Sequence, residues 1–208
     1  MDTLHYEKNM REQGYTVIAG IDEAGRGPLA GPVVAACVVI PEGFEPGIIT
    51  DSKKLTEKRR EECFSRITAE CAVGVGIVGP DVIDEINILQ ATYKAMRTAA
   101  EDCPARPDFL LIDGNPAADM GIPAMSIVKG DAKSLSIGAA SIIAKVTRDR
   151  IMTEADREYP EYGFAKHKGY GTAVHLRALE RYGACPIHRM SFAPVREVTL
   201  QCRLTELR

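Results

Sequence analysis

The residues best suited to chemistry are acids placed where apolar segments end. Ile21-Asp22-Glu23-Ala24-Gly25-Arg26-Gly27-Pro28 sets two adjacent carboxylates at the end of an apolar, β-branched run. Two carboxylates pushed together repel unless a cation lies between them, and a hard divalent ion is the natural choice. Leu110-Leu111-Ile112-Asp113-Gly114 puts a third acid at the carboxyl end of a buried run, the edge where α/β sheets usually hold ligands. Lys129-Gly130-Asp131-Ala132-Lys133-Ser134 places a fourth at a helix start. Three or four carboxylates on one rim can hold two Mg²⁺ or Mn²⁺ ions about 4 Å apart, one activating water and the other stabilising the leaving oxygen of a phosphodiester. Such a site requires no histidine or cysteine ligand.

Each acid taken alone also reads as ordinary structure. Asp22 and Glu23 fit a charged strand end running into a glycine turn, Asp113-Gly114 is a common turn pair, and Asp131 fits an N-cap. In a regular strand Asp22 and Glu23 point to opposite faces, so both serve one site only if the pleat breaks there, which Gly25 and Gly27 permit. Gly25-Arg26-Gly27-Pro28-Leu29-Ala30 also matches a dinucleotide fingerprint formally. That motif needs a helix after the loop, whereas Val33, Val34, Val38 and Val39 predict a strand.

The elements that must position these acids alternate between strand and helix. Thr16–Ile21 and Gly31–Ile40 predict neighbouring antiparallel strands, with further strands at Ala72–Val78, Phe109–Ile112 and Ile122–Val128. Helical spacing covers Thr56–Glu70, Leu89–Cys103 before Pro104, Ala132 to about Tyr159 before Pro160, and Thr172–Tyr182 closed by Gly183. The fold class is therefore α/β. With 208 residues, 45% of them apolar, and no linker or repeat, the chain is expected to form one domain over residues 1–208, with a short amino-terminal helix within 1–14 and a tail over 196–208.

Composition narrows the surroundings. No window approaches the roughly 18 apolar residues of a membrane span, and Met1 to Gln13 is polar, so a cytoplasmic protein with no membrane partner is expected. The six cysteines lack the spacing of a disulfide framework, and the Cys185/His188 half-site has no second pair to complete a zinc site. Net charge is −3, yet Lys129 to Arg189 holds eleven Lys/Arg against seven Asp/Glu, which makes it the likelier face for a polyanion. Charge alone equally fits a solvated helical surface. Lys53, Lys54, Lys145, Lys166, Lys168 and Arg189 are candidates for phosphate contact.

Five segments together resemble the type 2 ribonucleases H, of the bacterial ribonuclease HII type. They are Gly20–Pro32, Asp51-Ser52-Lys53-Lys54-Leu55, Leu111–Gly114, Ser141–Asp149 and Gly163–Thr172, and the resemblance runs from about Tyr15 to Val195. It implies a ribonuclease H-like fold with a mixed five-stranded sheet, flanking helices and a helical carboxy-terminal region. It also implies an active site of Asp22, Glu23, Asp113 and Asp131 holding two divalent ions. The implied reaction is hydrolysis of RNA paired with DNA, and nicking 5′ to ribonucleotides embedded in duplex DNA, leaving a 3′-hydroxyl and a 5′-phosphate. Gly25, Arg26, Gly27 and Tyr170 would then detect the ribose and its junction with DNA. The glycines fit that role, because a backbone without Cβ atoms can approach a 2′-hydroxyl closely. Tyr170 fits a loop anchor equally well. A monomer is expected, and Arg26 favours the HII over the HIII type.

Overall fold

The computed structural model describes residues 3–49, 52–114 and 119–206, with Lys53 and residues 201–206 described by backbone alone. The chain divides into two compact units, each assembled from three separated segments. The first comprises Met1–Ala24, Val34–Ile77 and Thr92–Val146, and the second Gly25–Val33, Val78–Ala91 and Thr147–Arg208.

The first unit holds the sheet. Strands β1 (Ile18–Ala24), β2 (Val33–Val39), β3 (Ala72–Val78), β4 (Phe109–Asp113) and β5 (Ala124–Ile127) lie in the order β3-β2-β1-β4-β5. β1 runs antiparallel to β2 and parallel to β4, and β4 runs parallel to β5, so the sheet is mixed. β2 is buried at six of its seven positions, and β4 is buried from Phe109 to Ile112. Strands covered on both faces need continuous apolar runs such as these. Helix α1 (His5–Glu12) precedes the sheet, α2 (Glu57–Glu70) precedes β3, and Thr56 caps α2 through Arg59 N–H. α3 (Pro80–Asp102) is broken at Asn87, whose φ of 66° leaves the helix and whose side-chain oxygen then accepts from the Leu89 and Gln90 amides.

Helix α4 (Leu135–Glu158) buries Leu135, Ile137, Ala139, Ile142, Ile143 and Val146 in the first unit. It meets β1 at Gly20, where a Cβ would lie 2.1 Å from the Ser136 carbonyl carbon and 2.2 Å from the Ile137 nitrogen. Any side chain at Gly20 would therefore lift α4 off the sheet. The start of α4 is capped by Ser134, whose hydroxyl accepts from Ile137 N–H, and by Glu7 of α1, whose Oε1 accepts from Ser136 N–H and both serine hydroxyls.

The second unit has its own core of Ala30, Met152, Tyr162, Phe164 and Ala178, beside a smaller cluster of Leu29, Leu179 and Val195. Its remaining helices are α5 (Phe164–His167), α6 (Ala173–Tyr182, capped by Thr172) and α7 (Ala193–Glu206). The segment expected as a tail is thus largely helical. Among the described residues no helix is long and apolar enough to cross a membrane.

Candidate active site

Parallel pairing of β1 with β4 aligns Ile21 with Ile112, so Asp22 and Asp113 are the next residues on neighbouring strands at the same sheet edge. Asp22 is 6% exposed and Asp113 half-buried. Burial is the largest influence on Asp22 and pushes its carboxyl well above the usual range. The neighbouring Glu23 and Asp113 charges push the same way, while hydrogen bonds from Ser141 and Glu23 N–H oppose them. The hydrogen bond from Glu23 N–H to Asp22 Oδ1 is 2.7 Å long.

Ser141 and Ser52 were not singled out in the sequence, although both lie in motif segments. Ser52 Oγ sits 2.9 Å from Ser141 Oγ, and both residues are buried. An ionised carboxylate only accepts, so whenever Asp22 is ionised the Ser141 hydroxyl donates a hydrogen bond to it and accepts one from Ser52. The available signal was a polar residue inside the apolar stretch Ile137–Ala144.

Asp113 Oδ1 accepts the Gly130 amide at 2.6 Å. Gly130 opens the 3-10 turn Gly130–Ala132, which contains Asp131 and is entered through Lys129 in the left-handed region at φ 57°. The third acid is therefore bonded to the turn that carries the fourth. Asp131 sits within this turn, and Ser134 and Glu7 supply caps at the start of α4.

The pleat does not break at these two acids. The β1–β2 ladder continues through Asp22↔Ala36, Glu23↔Ala35 and Ala24↔Val34, and the left-handed turn comes only at Gly25, φ 99°. Asp22 and Glu23 therefore alternate across the strand, Asp22 buried and Glu23 half-buried.

Among the described residues no three His, Cys, Asp or Glu side chains stand grouped as a ready-made metal cage. Donor chemistry nevertheless fits a hard divalent ion. The acids offer only oxygen, and the mutual repulsion around Asp22 is the interaction such an ion would offset.

The substrate-loop candidates lie in the second unit. Gly25 is buried while Arg26 and Gly27 are exposed, and a Cβ on Gly27 would be 3.7 Å from the Tyr170 ring, itself 48% exposed. β2 follows this loop instead of the helix a dinucleotide site requires. Lys54 and Lys166 are exposed, Lys145 is half-buried, and Lys168 donates to Thr153 Oγ1 at 2.8 Å. The side chain of Lys53, like Asp51, lies outside the described residues.

Arg189 is not a phosphate contact. It is fully buried and donates to the Gly25, Arg26, Pro28 and Gly31 carbonyls.

Cys185 and His188 are bonded to one another within a chain of neutral groups. His175 Nδ1–H reaches the Tyr170 carbonyl at 2.9 Å, which leaves its Nε2 to accept from His188 Nε2–H at 3.0 Å. His188 Nδ1 then accepts from Cys185 N–H at 3.0 Å, with Sγ 3.1 Å away. Burial pushes the Cys185 thiol up to about 11, and burial followed by the His175 charge holds His188 down to about 4.

Comparison with known proteins agrees with this picture. A family model described as Ribonuclease HII matches residues 19–195. The ribonuclease HII of Acetivibrio thermocellus is 59% identical over 188 residues, covering 90% of this chain and 73% of that protein. That of Geotalea daltonii is 53% identical over 211 residues, covering 97% and 98%. The crystal structure of ribonuclease H2 from Pyrococcus horikoshii superimposes with a TM-score of 0.77 at 29% identity, covering 90% of this chain and 99% of that one. Identity above one half across nearly the whole length leaves a single assignment, and this chain belongs to the ribonuclease HII family of ribonuclease H hydrolases.

Proposed function

We propose that the chain is a monomeric endonuclease that hydrolyses the RNA strand of RNA–DNA hybrids and nicks duplex DNA on the 5′ side of an embedded ribonucleotide, leaving 3′-hydroxyl and 5′-phosphate ends. The observation that carries this reading is Asp22 lying beside Asp113 at one sheet edge, with Asp113 bonded to the turn that holds Asp131. Asp22, Asp113 and Asp131 would hold two Mg²⁺ or Mn²⁺ ions, and Glu23, whose charge already acts on Asp22, would join them from the other face of β1 around the strand end, where Gly25 turns the chain. When bound, such ions lower the pKa of water and stabilise charge on the leaving oxygen.

The remaining work falls to the chain itself. Ser52 and Ser141 fix the Asp22 carboxylate by a relay of two hydroxyl protons, so its oxygens keep one orientation. The Gly130 amide does the same for Asp113. In the second unit, Gly25, Arg26 and Gly27 present backbone that can approach a 2′-hydroxyl, the group that distinguishes RNA from DNA. Tyr170 offers an exposed ring on which the following deoxyribose would rest, and Lys53 is assigned to a phosphate.

The test uses three matched duplexes, all-DNA, DNA with one ribonucleotide, and an RNA–DNA hybrid, each with Mg²⁺, Mn²⁺ or chelator. Cleavage is expected at the single ribonucleotide and in the hybrid, only with metal, and with 5′-phosphate products. Intact ribonucleotide-containing duplexes in the presence of both metals would defeat the proposal.

A further inference from the structure

The loop from Gly25 to Pro32 is shaped from beneath by two buried arginines. Arg189 donates from Nε to Gly31 O at 2.9 Å, from Nη1 to Arg26 O at 3.0 Å and Pro28 O at 2.8 Å, and from Nη2 to Gly25 O at 2.6 Å. Arg148, 1% exposed, donates from Nε to Pro32 O at 2.9 Å, from Nη2 to Ala30 O at 3.1 Å, and from Nη1 to Lys168 O at 3.0 Å. Carbonyls of Gly25, Arg26, Pro28, Ala30, Gly31 and Pro32 thus all turn toward guanidinium groups. Arg148 also reaches a carbonyl two residues before Tyr170.

The packing leaves no slack. A Cβ on Gly25 would lie 2.1 Å from Arg148 Nε, and one on Gly31 would lie 2.2 Å from Met152 Sδ. Burial and the neighbouring Arg148 charge pull the Arg189 guanidinium down to about 9, which still leaves it protonated at neutral pH. The planar fork of arginine suits the task, since its N–H groups diverge in fixed directions and can hold several carbonyls at once.

Clamping a carbonyl also aims an amide. Within a trans peptide plane the C=O of one residue and the N–H of the next point in opposite directions. With the Gly25 and Arg26 carbonyls drawn to Arg189, the amides of Arg26 and Gly27 are directed to the other side. A charged donor on each carbonyl also polarises the same peptide group and strengthens its N–H as a donor.

We infer that Arg189, together with Arg148, is a positioning pair that holds the 25–32 loop in the shape that reads a ribonucleotide, by aiming the Arg26 and Gly27 amides at substrate oxygens. The inference rests on the proposed role of that loop as the ribose detector.

The test compares wild type, Arg189→Lys, Arg148→Lys and Gly27→Ala, each checked by far-UV circular dichroism, on a duplex carrying one ribonucleotide with Mn²⁺. Lysine keeps the charge but cannot span the same carbonyls. Each Arg→Lys variant should fold, raise KM about tenfold or more, and change kcat only about twofold, as expected for loss of charge-assisted bonds that set binding geometry. Unchanged KM in folded Arg→Lys proteins, with KM raised in Gly27→Ala, would overturn the positioning role while leaving ribose reading intact. Loss that falls on kcat alone would overturn it too. If Arg189→Lys does not fold, Arg148→Lys decides the question. Failure of both to fold would show that the arginines support the whole unit, which also overturns the inference. A wild type that does not nick at ribonucleotides would instead overturn the underlying reading.

Discussion

The acid rim of the first unit and the arginine-backed loop of the second both bury charge beside a like charge, and they differ in how far hydrogen bonds answer it. Asp22 has two hydrogen-bond donors set against desolvation and two like-charged neighbours, so its ionised form stays disfavoured. Burial works against the charge on Arg189 and Arg148 too, yet seven carbonyl bonds hold their donors and Arg189 stays protonated at neutral pH. The rim is an electrostatic account left open, suited to chemistry that brings in a cation. The loop is closed and rigid, suited to measuring shape. Changes in the rim should therefore appear in turnover, and changes in the loop in binding.

The largest effect should come from the rim. Asp22→Asn or Asp113→Asn should slow cleavage by at least about a thousandfold, since metal-borne charge stabilisation supplies several kcal/mol. Metal-free Asp22→Asn should meanwhile unfold at a higher temperature than wild type, because it removes a buried carboxylate whose ionisation is opposed. Calorimetry alongside the cleavage assay checks both, and a lower melting point would break the contrast between the regions.

A smaller effect concerns acid and the second unit. His188 is held at about 4 in the folded protein against an ordinary 6.5, so the unfolded chain takes up the proton first. Stability from this group is complete above about 6.5 and falls as pH drops toward 4, a loss on the order of 2 kcal/mol between pH 7 and pH 5. Urea unfolding at the two pH values measures it, and His188→Asn should show a shallower pH slope. Equal slopes would remove His188 as the cause.

The smallest effect sharpens the division of labour. Tyr170→Ala should lower kcat/KM on the single-ribonucleotide duplex about tenfold, the loss of one stacking contact of roughly 1–3 kcal/mol. The change should fall on KM, and Tyr170→Phe should restore it. A deficit confined to kcat would place Tyr170 with the acids.

Local signals exposed much of this molecule to sequence reading. Acids closing apolar runs marked Asp22 and Asp113, and Thr56 and Thr172 marked helix starts because caps are bonded within three residues. The hidden features depend on distant partners. Arg189 resembles a phosphate contact until its four acceptors, more than 150 residues away, are seen. Ser141 gains meaning from Ser52 and Asp22, and the start of α4 draws a cap from Glu7, 129 residues away. The helix expected from Leu89 starts just past the break at Asn87, and what the sequence reading missed is the helical stretch before it, from Pro80.

The Glu7 cap has a consequence for how the protein is made. A carboxylate near the start of the chain meets donors 127 and 129 residues later, and β1 waits for β4 about ninety residues downstream. During synthesis β1 can pair early with β2, but the first helix waits for α4 and β1 for β4, so the first unit closes late, through contacts of wide sequence separation. Until then, the edge of β1 that β4 will cover is open to whatever else the cell offers.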